Sequence, residues 1–323
     1  MSGDPRRLTI DFLVVLRRLF VALCGIALSS VVVFISLRVL PGDIATTRLG
    51  IDATPEALAA LRDEYGLDQS YFSQYVDWIG NAVRGDLGTS MVTGDDVGSE
   101  IISRLDVTMP LIIASSVLSV TLAVWLGRRT TLRRGQTSGV IADALSQIGG
   151  AVPTFVVGVF LITVFAVQLR LLPAGGFPTE GWRDPLDALR SLLLPLLCLA
   201  ASQSSVLVRF ARSHSLDYVA SDAVRTARSV GRNSDAAMAT ARRLVLTPVL
   251  GVTALQIATL LTGAVVVESV FALPGIGSML IRDIANRDLP KVQSTLLLVV
   301  VLVFLVRFVV DVIVDRLDPR RLS

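Results

Sequence analysis

The sequence has one lysine, one histidine and two cysteines, and none of them stands at the spacing of a catalytic motif. Lys291 is the only lysine, and because Pro290 precedes it the chain has no G-x-x-x-x-G-K-[ST] phosphate-binding loop. His214 is the only histidine, and because Ser215 follows it an H-E-x-x-H zinc site is excluded. We therefore expect no catalytic residue, no metal site and no cofactor in this chain itself.

Two acids and two cysteines fall in or beside apolar runs. Glu268 and Asp311 lie near opposite faces of the predicted membrane, so they cannot form the dyad of an intramembrane protease. Acids at membrane depth also mark proton relays, which keeps ion-coupled transport open as an alternative. Arg307 stands four residues before Asp311, so we expect the two to pair or Arg307 to reach the inner surface. Cys24 and Cys198 lie inside apolar runs and predict neither a disulfide framework nor a metal site.

The elements that must position these residues are apolar helices. The chain has 323 residues, of which 52% are hydrophobic and only 6% aromatic, and its mean hydropathy is +0.66. A bilayer core of roughly 30 Å needs about 20 apolar residues per helix, and several runs reach that length. Hydropathy predicts about six spans, namely Leu19–Leu40, Met109–Leu126, Ile148–Leu169, Leu192–Val208, Val245–Val267 and Val292–Val314.

Charge alternates between the segments that connect these spans. Loop 127–139 has four arginines and no acid, loop 209–244 is also rich in arginine, and segment 41–107 has twelve acids against four arginines. Arginine-rich short loops stay in the cytoplasm, so both loops are predicted inside and the acidic segment outside. Both termini are then cytoplasmic. The first apolar run is longer than a signal-peptide core, so we interpret it as a retained helix.

The predicted fold class is an all-α membrane protein with about six transmembrane helices. A small external helical lobe is expected between the first two helices, and a short cytoplasmic helix between the fourth and fifth. We divide the chain into an N-terminal segment with the first helix at 1–40, an external lobe at 41–107 and a core transmembrane domain at 108–323.

The predicted external lobe contains two helix signals. Thr54 is a predicted N-cap, with Pro55 at the first helical position and Glu56 in the first turn. A second amphipathic stretch includes Tyr75 and Trp78. We therefore predict an ordered helical lobe rather than a simple loop.

Glycine and proline interrupt two of the apolar segments. A proline in a membrane helix frees a backbone carbonyl, which a neighbouring helix or water must satisfy. We interpret these positions as bends that line a translocation path, the alternative being kinks that only serve packing. We also predict that 268–291 forms an external hairpin that dips back towards the bilayer. The residues assigned to the path are Gly149, Gly150, Pro153, Glu268, Pro274 and Gly275.

Loop 209–244 has the pattern of a helix, a break and a second helix. Leu216, Val219 and Ala223 recur on one face, and Gly231 is a predicted helix stop. A short amphipathic helix presented to the cytoplasm is typical of a docking surface. Alternatively, the loop only enforces topology or contacts anionic lipid. The residues assigned to docking are Leu216, Asp217, Asp222, Arg225, Thr226, Ala227, Arg228 and Gly231.

This segment resembles the cytoplasmic loop of the inner-membrane permeases of ABC importers for peptides and nickel. That loop has an E-A-A-x-x-x-G type motif, which in the peptide branch reads D-Y-V-R-T-A-R-x-x-G; here Ala223 replaces the usual aromatic residue. The resemblance covers nearly the whole chain and is closest to the dipeptide and oligopeptide permeases of the B type. The further matching segments are Leu40–Asp43, Tyr65–Asp68, Gly85–Ser90, Pro153–Phe155, Val267–Phe271, Pro274–Gly277 and Asp318–Arg320.

The resemblance implies a pore-forming permease subunit of an ATP-driven, binding-protein-dependent importer in the bacterial inner membrane. The partners it implies are a homologous second permease, two ATPase subunits or one fused ATPase, an extracytoplasmic substrate-binding protein, a peptide substrate and membrane lipid, with no nucleic acid. ATP and Mg²⁺ are expected on the ATPases, and 209–244 is expected to couple their movement to the spans. The alternatives are the same transporter class carrying nickel or another small solute, and a membrane scaffold or sensor.

Overall fold

The computed structural model describes residues 5–39, 54–64, 68–132, 152–219, 222–231 and 242–317. Within these residues the secondary structure is helical, with connecting turns and one isolated backbone pairing between Thr89 and Asp96. The α-helices are α1 Pro5–Val39, α2 Pro55–Glu64, α3 Tyr71–Val83, α4 Val97–Leu132, α5 Thr154–Leu161, α6 Pro185–Val219, α7 Asp222–Ser229, α8 Arg242–Val270, α9 Ile276–Ala285 and α10 Leu289–Leu317.

Side-chain caps explain where several helices begin. The first turn of a helix has backbone N–H groups without intrahelical partners, and a short polar side chain at the N-cap accepts from one of them. Thr54 Oγ1 accepts from Ala57 N at 3.3 Å, which confirms the predicted start of α2. The other caps are Ser70 to Ser73 N at 3.2 Å, Asp96 to Ser99 N at 2.7 Å and Asp184 to Asp187 N at 3.2 Å.

The long helices extend beyond the predicted spans. α4 begins at Val97, inside the predicted external lobe, and α6 continues to Val219, well into the predicted loop 209–244. Extending an existing helix costs little, and the hydropathy pattern marks only the apolar part of each helix. The second predicted helix of the loop falls largely on residues 232–241, outside the described residues.

Four described helices are long and apolar enough to cross a membrane: Leu13–Val39, Val97–Thr131, Pro185–Leu216 and Leu289–Asp315. α8 adds a fifth if its two halves, bent by 58°, count as one span. In place of the third predicted span, the described chain has a shorter apolar segment, Thr154–Gln168, formed by α5 and a π-helix over Ile162–Gln168. The six-span count therefore stays a prediction, and Gly149 and Gly150 lie outside the described residues.

The main apolar core joins α4, α6 and α8. α4 packs along α6, and α8 crosses both. Gly127 of α4 lies so close to α6 that an added Cβ would be 2.7 Å from Ala211 Cβ. Small residues at such crossings allow membrane helices to approach closely. The fully buried members of this core include Leu111, Leu194, Cys198, Leu199, Leu260 and Phe271.

The first and last helices pair with each other, and α3 packs on the first. α1 packs against α10. Tyr75 of α3 lies edge-on to Phe34 of α1 with ring centroids 5.5 Å apart, and its hydroxyl lies 2.9 Å from Ser30 Oγ. The predicted amphipathic stretch is therefore a helix whose aromatic face covers the C-terminal part of α1.

Candidate functional site

The predicted docking segment forms a short exposed helix at the end of α6. α7 packs against α6, and Val224 on its inner face is 1% exposed. Asp222 and Arg225 point outwards and pair at 3.3 Å, with side chains 91% and 80% exposed. An exposed ion pair of this kind contributes little stability. Its side chains are therefore free to contact another protein.

Gly231 ends this segment in a backbone conformation that favours glycine. Its φ is +81°, and an added Cβ would meet no atom within 4 Å. The left-handed backbone, rather than lack of space, therefore selects glycine here. The predicted helix stop is confirmed, because α7 ends at Ser229.

The other residues assigned to docking share the same two helices. Leu216 is half-buried near the end of α6, and Thr226 is exposed on α7. The backbone of Asp217 lies in α6, and those of Ala227 and Arg228 lie in α7. Their role in docking stays a prediction.

A second cluster surrounds Glu268, which is 0% exposed near the end of α8. Its carboxylate accepts hydrogen bonds from Thr108 Oγ1 at 2.7 Å, Gly277 N at 2.7 Å and Ser278 N at 3.1 Å. The Thr108 hydroxyl in turn accepts from Ile276 N at 2.9 Å. The side chains of Thr108 and Glu268 therefore cap the first three N–H groups of α9.

Gly275 makes room for this cap. Glu268 folds over the backbone of Gly275 so closely that a Cβ at that position would overlap the carboxylate. Gly277 is similarly constrained, because its Cβ would lie 2.5 Å from Val265 Cα. Gly275, which the sequence assigned to the path, and Gly277 of the predicted hairpin are therefore sites of close backbone approach. The place of Gly275 on the translocation path stays a prediction.

The loop that follows the π-helix also contacts the turn between α8 and α9. Gly176 N donates to Phe271 O at 2.7 Å, and Gly175 lies against that carbonyl without space for a side chain. The Phe271 ring is 1% exposed and packs in the main core. The α8–α9 hairpin predicted from 268–291 is therefore fixed by two other parts of the chain.

Lys291 closes the base of the hairpin. Its ammonium lies 2.7 Å from Glu100 Oε2 and 3.2 Å from Asp283 Oδ1, and its side chain is only 4% exposed. Arg104 adds a contact to Glu100 at 3.2 Å. Burial raises the pKa of the Asp283 carboxyl above its ordinary range, and the hydrogen bond from Lys291 opposes that shift. The only lysine of the chain thus joins α4, α9 and α10.

Asp288, which lies between α9 and α10, binds the segment before α4 to the hairpin. It accepts hydrogen bonds from Ser90 Oγ and, at 3.1 Å, from Met91 N. Ser294 of α10 donates to Leu87 O at 2.7 Å. The matched segment Gly85–Ser90 therefore packs directly on the hairpin rather than standing apart from it.

Pro153 lies beside an open cavity between α5 and α8. The cavity holds about 510 Å³ and its wall combines hydroxyl groups with apolar side chains. It lies next to the 58° bend of α8, between Gln256 and Thr259. The lining residues are Thr154, Phe155, Thr259, Thr262, Gly263 and Val266.

Asp311 has a nearer partner than the sequence indicates. Arg18 Nη1 lies 2.7 Å from Asp311 Oδ2, whereas Arg307 Nε is 4.0 Å from the same oxygen. Arg18 Nε also lies 2.6 Å from Asp315 Oδ2. The predicted pairing of Arg307 with Asp311 is therefore the weaker contact, because α1 brings a second arginine to the acid.

Sequence reasoning did not find Thr108, Asp288 or the partners of Lys291. Glu268 inside an apolar run was a signal that a polar partner must exist, because an unpaired acid at that depth is costly. The spacing of Asp311 and Asp315, one helical turn apart, was a similar signal for Arg18. Neither signal names the partner, which lies on another helix.

Comparison with known proteins agrees with this architecture. Residues 119–323 match the family described as binding-protein-dependent transport system inner membrane component, and residues 10–112 match the N-terminal family of such membrane components. The methionine ABC transporter MetNI in an inward-facing conformation has a chain of similar fold, with a TM-score of 0.54 and 16% identity over 68% of this chain and 96% of that one.

Two curated relatives match over most of their length. The glutathione transport system permease protein GsiC of Shigella flexneri serotype 5b is 34% identical over 94% of this chain and 97% of its own. The di/tripeptide transport system permease protein DppB of Pseudomonas aeruginosa is 35% identical over 89% of this chain and 92% of its own. With α7, the α8–α9 hairpin and the long apolar helices in place, the chain belongs to the family of inner membrane components of binding-protein-dependent transport systems.

Proposed function

We propose that this chain is a pore-forming permease subunit of an ATP-driven importer for dipeptides and oligopeptides. The observation that carries the proposal is the position of α7, a short exposed helix attached to the end of α6. α6 packs against α4, α5 and α8, which surround the main core. A displacement of α7 would therefore move α6 and the helices packed against it together as a rigid body.

In this proposal the chain does not hydrolyse ATP. Two ATPase subunits, or one fused ATPase, bind ATP and Mg²⁺ and contact α7 from the cytoplasm. A homologous second permease completes the pore, and an extracytoplasmic binding protein delivers the substrate. The chain lies in the bacterial inner membrane with both termini in the cytoplasm, as the arginine distribution favours.

The substrate class is inferred from relatives and from one cavity. The names of the relatives specify glutathione and di- or tripeptides, all of which carry amide groups. The cavity beside α5 is lined by three threonines, Thr154, Thr259 and Thr262, together with apolar residues. Hydroxyls both donate and accept hydrogen bonds, so they suit a peptide backbone without selecting its side chains.

Replacing Gly231 tests the coupling role of α7. Gly231→Val places a β-branched residue at a left-handed backbone position, whereas Gly231→Asn keeps a residue that tolerates it. We expect Gly231→Val to lower dipeptide uptake roughly tenfold, since about 1–2 kcal/mol separates the two backbone states. Gly231→Asn should stay close to wild type.

The measurement is dipeptide uptake and ATPase rate in vesicles containing the intact complex, with copurified ATPase as the assembly check. Gly231→Val should keep its spans and lose uptake per ATP hydrolysed. Equal uptake in wild type and Gly231→Val would remove α7 from the coupling mechanism. Uptake driven by an ion gradient without ATP would instead favour secondary transport.

A further inference from the structure

A crevice of about 700 Å³ lies between α1 and α10. It extends from Gly25 and Phe304 at one end to Val14 and Asp315 at the other. At Gly25 the helices are so close that an added Cβ would overlap the Phe304 ring. The wall combines apolar side chains with charged ones, as a site for an amphipathic molecule requires.

Positive charge exceeds negative charge in this crevice. Its lining includes Arg17, Arg18 and Arg307 against Asp311 and Asp315. Arg18 bridges both acids at 2.6–2.7 Å. The remaining two arginines are exposed, and Arg307 reaches Asp311 only at 4.0 Å. An anion with a single negative charge would neutralise the net charge of the crevice.

The depth of Arg307 indicates what kind of anion fits. The residue stands seven positions before Val314, the predicted inner end of the last span. At 1.5 Å per residue its Cα lies about 10 Å into the hydrocarbon, although its long side chain extends towards the headgroups. An arginine exposed to lipid there is costly unless it meets an anion. Phospholipid phosphates lie at the headgroup level towards which this side chain extends, and basic pockets between membrane helices bind such headgroups.

We propose that the α1–α10 crevice binds an anionic phospholipid of the inner leaflet. The phosphate lies between Arg17 and Arg307, and an acyl chain follows the apolar wall formed by Val21, Ala22 and Phe308. The charge surplus fits the headgroup and the apolar wall fits the chain. This site is separate from α7 and does not depend on the transported substrate.

Lipid binding to the purified intact complex tests the site. Native mass spectrometry in mild detergent would follow the binding of phosphatidylglycerol, of phosphatidylcholine with the same acyl chains, and of inorganic phosphate. Arg17→Gln with Arg307→Gln should weaken phosphatidylglycerol binding about tenfold or more, because charge-assisted hydrogen bonds are lost. Phosphatidylcholine, whose choline cancels the charge of its phosphate, should bind less tightly than phosphatidylglycerol to the wild type and should lose less affinity in this variant. Ala22→Phe should weaken phosphatidylglycerol binding by filling the crevice without changing its charge.

Arg129→Gln is the matched control. Arg129 is an exposed arginine at the same predicted membrane face, 4.5 Å above the Trp125 ring and outside the crevice. It should leave phosphatidylglycerol binding unchanged. Arg17→Lys with Arg307→Lys keeps both charges and should retain binding within a few-fold, which separates loss of charge from loss of folding.

Three results would overturn the proposal. Undiminished phosphatidylglycerol binding in the double glutamine variant would remove the arginines from any lipid site. Phosphate binding as tight as phosphatidylglycerol binding, together with no effect of Ala22→Phe, would show a simple anion site. Loss of a partner subunit from the double glutamine variant, with lipid binding intact, would show that the crevice is a subunit interface.

Discussion

Thr108 Oγ1 lies 2.7 Å from Glu268 Oε1, although the two residues are 160 positions apart. The hydroxyl donates to the carboxylate and accepts from Ile276 N at 2.9 Å. Because Thr108 belongs to α4 and Ile276 begins α9, this single hydroxyl joins two helices through the end of α8. The orientation of the α8–α9 hairpin therefore depends on a side chain of α4.

Thr108→Val removes this hydroxyl with little change of shape. Glu268 and the Ile276 amide each lose a buried partner, so we expect a loss of about 1–3 kcal/mol in the free energy of unfolding. The control is Thr121→Val on the same helix, where the exposed hydroxyl bonds only Val117 O of its own turn. Thermal unfolding in detergent measures both variants. Equal melting temperatures for the two would contradict the capping role of Thr108.

Gly275→Ala should disrupt the cap from the opposite side. The new methyl would overlap the Glu268 carboxylate, so either the carboxylate or the turn must move. Overpacking of this kind costs about 1–3 kcal/mol. Gly80→Ala in α3 is the control, because a Cβ there meets no atom within 4 Å and alanine favours a helix by up to about 1 kcal/mol. The melting temperature should fall for Gly275→Ala and stay level or rise for Gly80→Ala.

Lys291→Met should destabilise the base of the hairpin. Methionine replaces the buried ammonium by a group of similar length and leaves Glu100 and Asp283 without their shared partner. Breaking a buried ion pair by removing one member costs about 3–5 kcal/mol. The comparison is Arg190→Met, which breaks a pair with Asp187 whose side chains are both 58% exposed. That change should cost less than about 1 kcal/mol. A similar small loss in both variants would show that the Lys291 cluster is not a structural clamp.

Cysteine labelling tests the predicted orientation in the membrane. In a Cys24→Ser background, which removes the exposed native thiol, Val92→Cys and Val230→Cys place exposed thiols before α4 and after α7. The charge distribution puts the first outside and the second inside. A membrane-impermeant maleimide added to intact spheroplasts should label Val92→Cys. It should label Val230→Cys only after permeabilisation. The reverse pattern would invert the topology.

The local pattern of the sequence was sufficient for the four long apolar helices and for several helix ends, but not for the number of spans. Thr54 and Gly231 illustrate why, since a cap and a left-handed glycine act on backbone groups within a few residues. The ends of α4 and α6 were not predictable in this way. Hydropathy reports the lipid-facing part of a helix, and both helices continue into polar sequence.

By itself, the sequence was enough to indicate long apolar helices and a basic segment that is predicted to be cytoplasmic, and its ordered motifs were enough to indicate the family. Periodicity, charge and hydropathy depend only on neighbouring residues. Only the tertiary structure decided that Thr108 binds Glu268 and that Glu100 binds Lys291, because these two partners come from a helix far away in the chain. A buried charge requires a partner, but helix packing alone selects which side chain supplies it.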